Sequence, residues 1–147
     1  MTLMLKGSKA LVLVLLVSFL AVTSVSSQTP HYWKFVREHI DFPQTNAGPE
    51  YCNTMMRQRL MTTPCKQTNS FVHISRDDMN NICNWRGGTY YRRNLRISKV
   101  EVPVTTCFLQ STAPNRCFYD FHRGRRFIMI TCDKKGWPDL FEETNFM

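Results

Sequence analysis

The residues with the most chemical promise lie in Cys65-Lys66-Gln67-Thr68-Asn69-Ser70-Phe71-Val72-His73. There a half-cystine, a cation that could face a phosphate, a side-chain amide and a hydroxyl lead into an apolar strand start. Upstream, His39 adds a group whose ordinary pKa lets it take or give a proton near neutral pH. Each has a plainer reading: a single lysine after a cysteine is commonly solvated, and a single histidine on an apolar helix face is commonly packed. The six cysteines form no Cys-x-x-Cys pair and no His-Cys cluster of the kind that holds zinc. Neither a metal nor a cofactor is expected.

The elements that must position these groups can be read from spacing. Tyr32, Phe35, Val36 and His39 fall at i, i+3, i+4 and i+7, which predicts a first helix over Tyr32 to Asp41, closed by Pro43. Tyr51 to Met61 reads as a second helix. Ser75 to Cys83 reads as a third, with Ser75 as cap and Asp77 and Asp78 in the turn where the helix dipole favours negative charge. Val100 to Cys107 alternates at period two and is rich in β-branched residues, as a strand should be. Cys117 to His122 and Arg126 to Cys132 are expected to flank a hairpin loop at Arg123-Gly124-Arg125, leaving His122 on the surface. Between Gly87-Gly88 and Lys99 two tyrosines, Tyr90 and Tyr91, sit among four cations, a composition that could stack bases and hold phosphates or form a solvent-facing hairpin. The class is α+β in one domain: three short helices and a long antiparallel strand system.

Composition sets the compartment. Lys6 and Lys9 precede an apolar run from Ala10 to Val22, and Val25-Ser26-Ser27 offers small residues for cleavage, so residues 1–27 read as a signal peptide and 28–147 as the mature domain. The apolar run is shorter than the roughly 20 residues that span a bilayer. Removing Lys6 and Lys9 with no acid takes the formal charge from +8 to +6. A secreted, extracellular, basic domain of this size, expected to be a monomer, should find polyanions such as RNA, heparan-type glycans or anionic surfaces. An even count of six cysteines in such a domain implies three disulfides, and six allow fifteen pairings.

CKQTNSFVH resembles the CKxxNTFxH motif of the pancreatic-type ribonuclease family, and the six-cysteine frame resembles its angiogenin-like branch. The likeness runs from about His31 to the C-terminus. It implies a ribonuclease A-like fold with a long bent antiparallel sheet, and the pairings Cys52 with Cys107, Cys65 with Cys117 and Cys83 with Cys132. It also implies roles. His39 would be the base that takes the 2′-hydroxyl proton of RNA, Lys66 would stabilise charge on the phosphate, and Asn69 and Ser70 would contact substrate, Ser70 at the position that reads a pyrimidine. Gln28 would become an N-terminus able to cyclise. Glu38 stands where the family has a phosphate-contacting glutamine, and Arg57-Gln58-Arg59 stands where angiogenins carry three arginines.

The resemblance fails at one residue. The family's second histidine, which protonates the leaving oxygen, belongs in Pro-Val-His-Phe-Asp; this chain has Pro138-Asp139-Leu140-Phe141-Glu142, with Glu142 in place of the aspartate that orients that histidine. Leucine has no proton to give. The expectation is a binding protein with strongly impaired cleavage, suited to a defence, signalling or reproductive-tract role. The alternative is an active pyrimidine-preferring endoribonuclease that uses His39 and Lys66 with a substitute acid, for which Asp139 is the candidate.

Overall fold

The computed structural model describes residues 28–112 and 114–143; the expected leader lies outside the described residues. Helix α1 spans Pro30–His39 and starts two residues before the apolar spacing suggested. Pro30 needs no backbone donor in the first turn, and the Thr29 hydroxyl accepts the Tyr32 N–H at 3.2 Å. Helix α2 (Tyr51–Gln58) follows a single 3-10 turn at Gly48–Glu50 and stops short of the expected Met61. Leu60 takes a left-handed φ of 64° and the Met61 N–H returns to the Met56 carbonyl, which closes the helix in a Schellman-like turn. Helix α3 (Arg76–Asn81) has the Ser75 cap that its sequence calls for, with Ser75 Oγ accepting from Asp78 N–H.

The strands are β1 (Thr68–Val72), β2 (Gly88–Arg92), β3 (Leu95–Ser98), β4 (Val102–Ser111), β5 (Phe118–Arg126), β6 (Met129–Cys132) and β7 (Pro138–Phe141). All ladders are antiparallel, and they divide into a three-stranded sheet ordered β1-β4-β5 and a four-stranded sheet ordered β2-β3-β6-β7. One expectation is corrected. Arg123-Gly124-Arg125 is no loop: it lies inside β5, where Arg123 opposes Thr105, Gly124 opposes Val104 and Arg125 opposes Pro103. The long partner strand β4 supplies a ladder through the glycine, so cross-strand pairing overrides the local break signal. His122, opposite Thr106, is exposed as expected.

Two apolar clusters fill the interior. One gathers Phe35, Val72, Met79, Ile82, Val104, Ile128, Ile130 and Phe141, where α1 and α3 meet the sheets; the other packs Tyr51, Met55, Met56, Phe71 and Tyr119 under α2. Disulfides join Cys52 to Cys107, Cys65 to Cys117 and Cys83 to Cys132, across 55, 52 and 49 residues, which is the connectivity that the resemblance implied. In the chain-entropy model each such loop contributes roughly 4 kcal/mol. A polar hub completes the frame. The buried Asp41 carboxylate accepts from Thr45 N–H (3.0 Å), Thr45 Oγ1 (2.7 Å) and Tyr51 Oη (2.6 Å), with Arg59 at 3.7 Å and the ring of buried His73 at 3.6 Å. Among the described residues no helix is long and apolar enough to cross a membrane, and no cluster of His, Cys, Asp and Glu could hold a metal.

Candidate functional site

The last turn of α1, the start of β1 and the end of β7 meet at His39. Its ring is 5 % exposed, stacks on Phe141 at 4.9 Å between centroids, and places Nδ1 2.9 Å from the Ser70 carbonyl oxygen. A carbonyl can only accept, so Nδ1 carries the proton and Nε2 keeps its lone pair. Burial pulls the imidazole down to about 4, with the Lys66 and Lys34 charges acting the same way against the Ser70 hydrogen bond and Glu38. His39 is therefore neutral at physiological pH, the form that can accept a proton at Nε2.

Lys66 follows the Cys65 disulfide, which fixes its backbone, and its Nζ donates to Asn69 Oδ1 at 2.8 Å. Asn69 is fully buried, and its amide donates to the Glu38 carbonyl at 2.8 Å, tying β1 to α1. The Glu38 carboxylate is ion-paired with Lys34 at 3.1 Å and lies 3.9 Å from Lys66. Two cations thus offset the charge that the sequence placed against a phosphate.

Ser70 is fully buried and at the centre of a tetrad. Its N–H and Oγ donate to Glu143 at 2.8 and 2.7 Å, its Oγ lies 2.8 Å from Thr106 Oγ1, and Arg126 Nη2 donates to Ser70 Oγ at 3.0 Å and to Thr106 Oγ1 at 3.3 Å. Burial lowers the Arg126 guanidinium and the Glu143 carboxylate opposes that shift. Neither Glu143, Thr106 nor Arg126 was singled out from the sequence. A signal existed for Glu143: side chains alternate along a strand, and counting on by two from Phe141 puts residue 143 on the His39 side. The structure does so, with Glu143 Oε1 3.9 Å from His39 Nδ1.

The same alternation separates the candidates on β7. Leu140 is 56 % exposed and its N–H donates to Thr131 Oγ1, while the Glu142 N–H donates to the Met129 carbonyl. Asp139 faces α1 near its start, 4.0 Å from His31. His31 and His39 are eight residues apart on one helix, about 12 Å along its axis. Asp139 is thus out of phase with Leu140 and two helical turns from His39.

The tyrosine-rich hairpin β2-β3 stands apart from this cleft. Tyr90 is 62 % exposed, and Arg92 lies over Tyr91 at 5.4 Å. Its cations divide in role. Arg96 donates to the carbonyls of Ile82, Asn84 and Gly88, and Lys99 Nζ donates to the Trp85 carbonyl, so both fasten the preceding loop. Gly88 is required there, because a Cβ would fall 1.8 Å from the Ile82 oxygen. Arg92 and Arg93 are exposed at the turn.

Comparison with known proteins adds to this geometry. A family model described as pancreatic ribonuclease matches residues 30–142. Angiogenin-2 of Bos taurus is 42% identical over 121 residues, covering 82% of this chain and 97% of that one. Angiogenin-4 of Mus musculus is 33% identical over 135 residues, covering 91% and 92%. Among solved structures, green turtle egg white ribonuclease superposes with a TM-score of 0.72 at 41% identity, over 78% of this chain and 98% of that one. Zebrafish RNase5 does so with a TM-score of 0.66 at 33% identity, over 78% and 93%.

Proposed function

The chain belongs to the pancreatic ribonuclease family, as an angiogenin-like member, and from that premise we propose that it is a secreted, basic protein that binds RNA or related polyanions while cleaving RNA poorly. The observation that carries the reading is Leu140. It stands between Pro138 and Phe141, where the family's acid would be, and Phe141 is the residue that stacks on His39. The base and the charge-stabilising cation are retained as His39 and Lys66, so substrate can be held and a proton accepted, but nothing at position 140 protonates the leaving oxygen. A positioned general acid contributes ~10²–10⁴-fold, and groups that act as a unit lose most of their joint effect when one is removed.

Two further observations support impairment. Glu143 occupies both donors of Ser70, and Asp139 sits by the start of α1, 4.0 Å from His31 and two helical turns from His39. Secretion rests on the apolar leader and the three disulfides, which suit an oxidising compartment.

The test is a pair of measurements on refolded wild-type protein: cleavage of a dinucleoside phosphate or transfer RNA, and binding of uncleaved single-stranded RNA as salt is varied. Expected are binding that weakens steeply with salt and cleavage lower than that of an active relative by ~10² or more. Cleavage at an active relative's rate would overturn the reading.

A further inference from the structure

Strand β5 is one edge of the three-stranded sheet, and the register decides which of its backbone groups are left over there. On β4 the Pro103 carbonyl accepts from the His73 N–H, and the Leu109 N–H donates to the Gln67 carbonyl. The odd-numbered residues of β4 thus turn their backbone groups towards β1 and the even-numbered ones towards β5. Val104, Thr106 and Phe108 therefore exchange hydrogen bonds with Gly124, His122 and Asp120. The residues between, Tyr119, Phe121, Arg123 and Arg125, point theirs outwards. Two of these N–H groups are taken locally: Tyr119 donates to Asn53 Oδ1 and Phe121 to Asp120 Oδ1, each at 2.8 Å. The N–H and C=O groups of Arg123 and Arg125 have no protein partner among the described residues.

The same two residues carry charge that is not neutralised. Arg123 lies over Tyr51 at 5.1 Å and over Phe121 at 5.0 Å, which holds its guanidinium beside the strand. Arg125 donates to the Glu101 carbonyl at 3.0 Å. No ion pair among the described residues involves either one. Between them Gly124 has no side chain, and on its face of the sheet Val104, His122 and Phe127 line a cavity of about 320 Å³. Cations at an exposed edge guard against self-pairing. They do so here, because a second β5 laid antiparallel on both free residues would set arginine against arginine. They leave the edge open to a strand of opposite charge. RNA fits less well: its phosphates accept from N–H groups and offer nothing to the carbonyls of the same residues.

We propose that the Arg123-Gly124-Arg125 edge of β5 is a docking site for an extended acidic peptide of a partner protein, added as a fourth strand in the pattern acid, apolar residue, acid. Laid antiparallel, its two acidic residues face Arg123 and Arg125 and exchange both backbone hydrogen bonds with them, at a Cα separation of about 5.5 Å that sets each carboxylate beside a guanidinium. The middle residue stands opposite Gly124 and turns its side chain to the cavity on that face. Each charge pair contributes about 1.4- to fivefold in affinity, and each backbone hydrogen bond about two- to twelvefold.

The experiment titrates isotope-labelled, refolded protein with an acetylated and amidated peptide, Thr-Glu-Val-Glu-Thr, and follows backbone amide resonances and their exchange with solvent. Shifts are expected at Arg123 and Arg125, with slower exchange of those two amides, while the Gly124 amide, already bonded to β4, keeps its rate. Glutamine in place of both glutamates should weaken binding about two- to 25-fold. N-methylation of the glutamates, whose N–H groups meet the β5 carbonyls, should weaken it about two- to twelvefold per bond lost. N-methylation of the valine, whose N–H faces away, should not. Arg125→Pro, which deletes an N–H that β4 does not use, should bind more weakly than Arg125→Ala. Equal losses from methylating glutamate and valine, or unchanged exchange at Arg123 and Arg125, would overturn the proposal, as would the absence of any shift at millimolar peptide. So would the same slowing at those two amides with single-stranded oligouridylate in place of the peptide, which would make the edge an RNA surface.

Discussion

Placing histidine at position 140 should restore a working pair. Leu140 is exposed and its backbone is held by the Thr131 hydroxyl, so Leu140→His is expected to change folding stability by no more than about 0.5 kcal/mol. Cleavage should rise at least ~10²-fold, the lower end of what a positioned acid supplies and equivalent to about 2.7 kcal/mol of barrier. The pH profile is the sharper test. His39 must be unprotonated and the new, solvated histidine protonated, so kcat/KM should climb through about 4, where burial puts His39, and fall above about 6.5, the ordinary histidine value. Glu38→Gln should add only about 1.5- to fivefold, since Lys34 and Lys66 already offset that carboxylate. Lys66→Ala in the repaired protein should remove the gain. Dinucleoside phosphate hydrolysis across pH measures all of this. No increase in the Leu140→His, Glu38→Gln protein, or an increase without a falling limb above neutral pH, would show that position 140 is not where the acid is needed.

Two other outcomes follow from the site and from the hairpin. The folded pKa of His39, about 4, lies below its unfolded value near 6.5, so the folded state binds fewer protons between them; stability is fully present above about 6.5 and falls by up to about 3 kcal/mol as pH drops to about 4. Urea titrations of the wild type should show this slope and His39→Gln should lack it; equal slopes would refute the assignment. On the hairpin, Arg96→Ala should cost about 2–3 kcal/mol, because three carbonyls lose a charged donor, and should leave the salt dependence of RNA binding unchanged. The Arg92→Ala, Arg93→Ala pair should leave stability unchanged and lower the logarithmic salt slope by about 1.4; an unchanged slope would remove the hairpin tip from the polyanion surface.

The helical part of the fold was legible because it is written locally. Ser75 caps α3 through its own side chain, and the Tyr32, Phe35, His39 stripe becomes the buried face of α1. The pairing of cysteines was legible only through resemblance. What local reading lost was decided across strands. Gly124 signals a turn by composition, yet Val104 opposite it continues the ladder. Matching the motif by position points to Glu142, whereas strand alternation, counted from Phe141, selects Glu143. Arg126 and Thr106 lie 20 residues apart and become partners only through the β4-β5 register. Arg96 and Lys99 counted as free charge in the sequence until backbone carbonyls claimed them.

The Asp41 hub has a consequence for how the molecule opens. The residue lies two positions past the end of α1, and its N–H donates to the Val72 carbonyl while its carboxylate holds Thr45 in the connecting loop and Tyr51 at the start of α2. Unfastening any one of these segments leaves a buried carboxylate with unmade hydrogen bonds, which is expensive. The end of α1, the loop, the start of α2 and the end of β1 therefore form one cooperative unit, and their backbone amides should exchange with solvent through a shared opening. His39 and Ser70 belong to that same unit. The candidate site is then as rigid as the first third of the domain, and local fraying of α1 alone does not release its base.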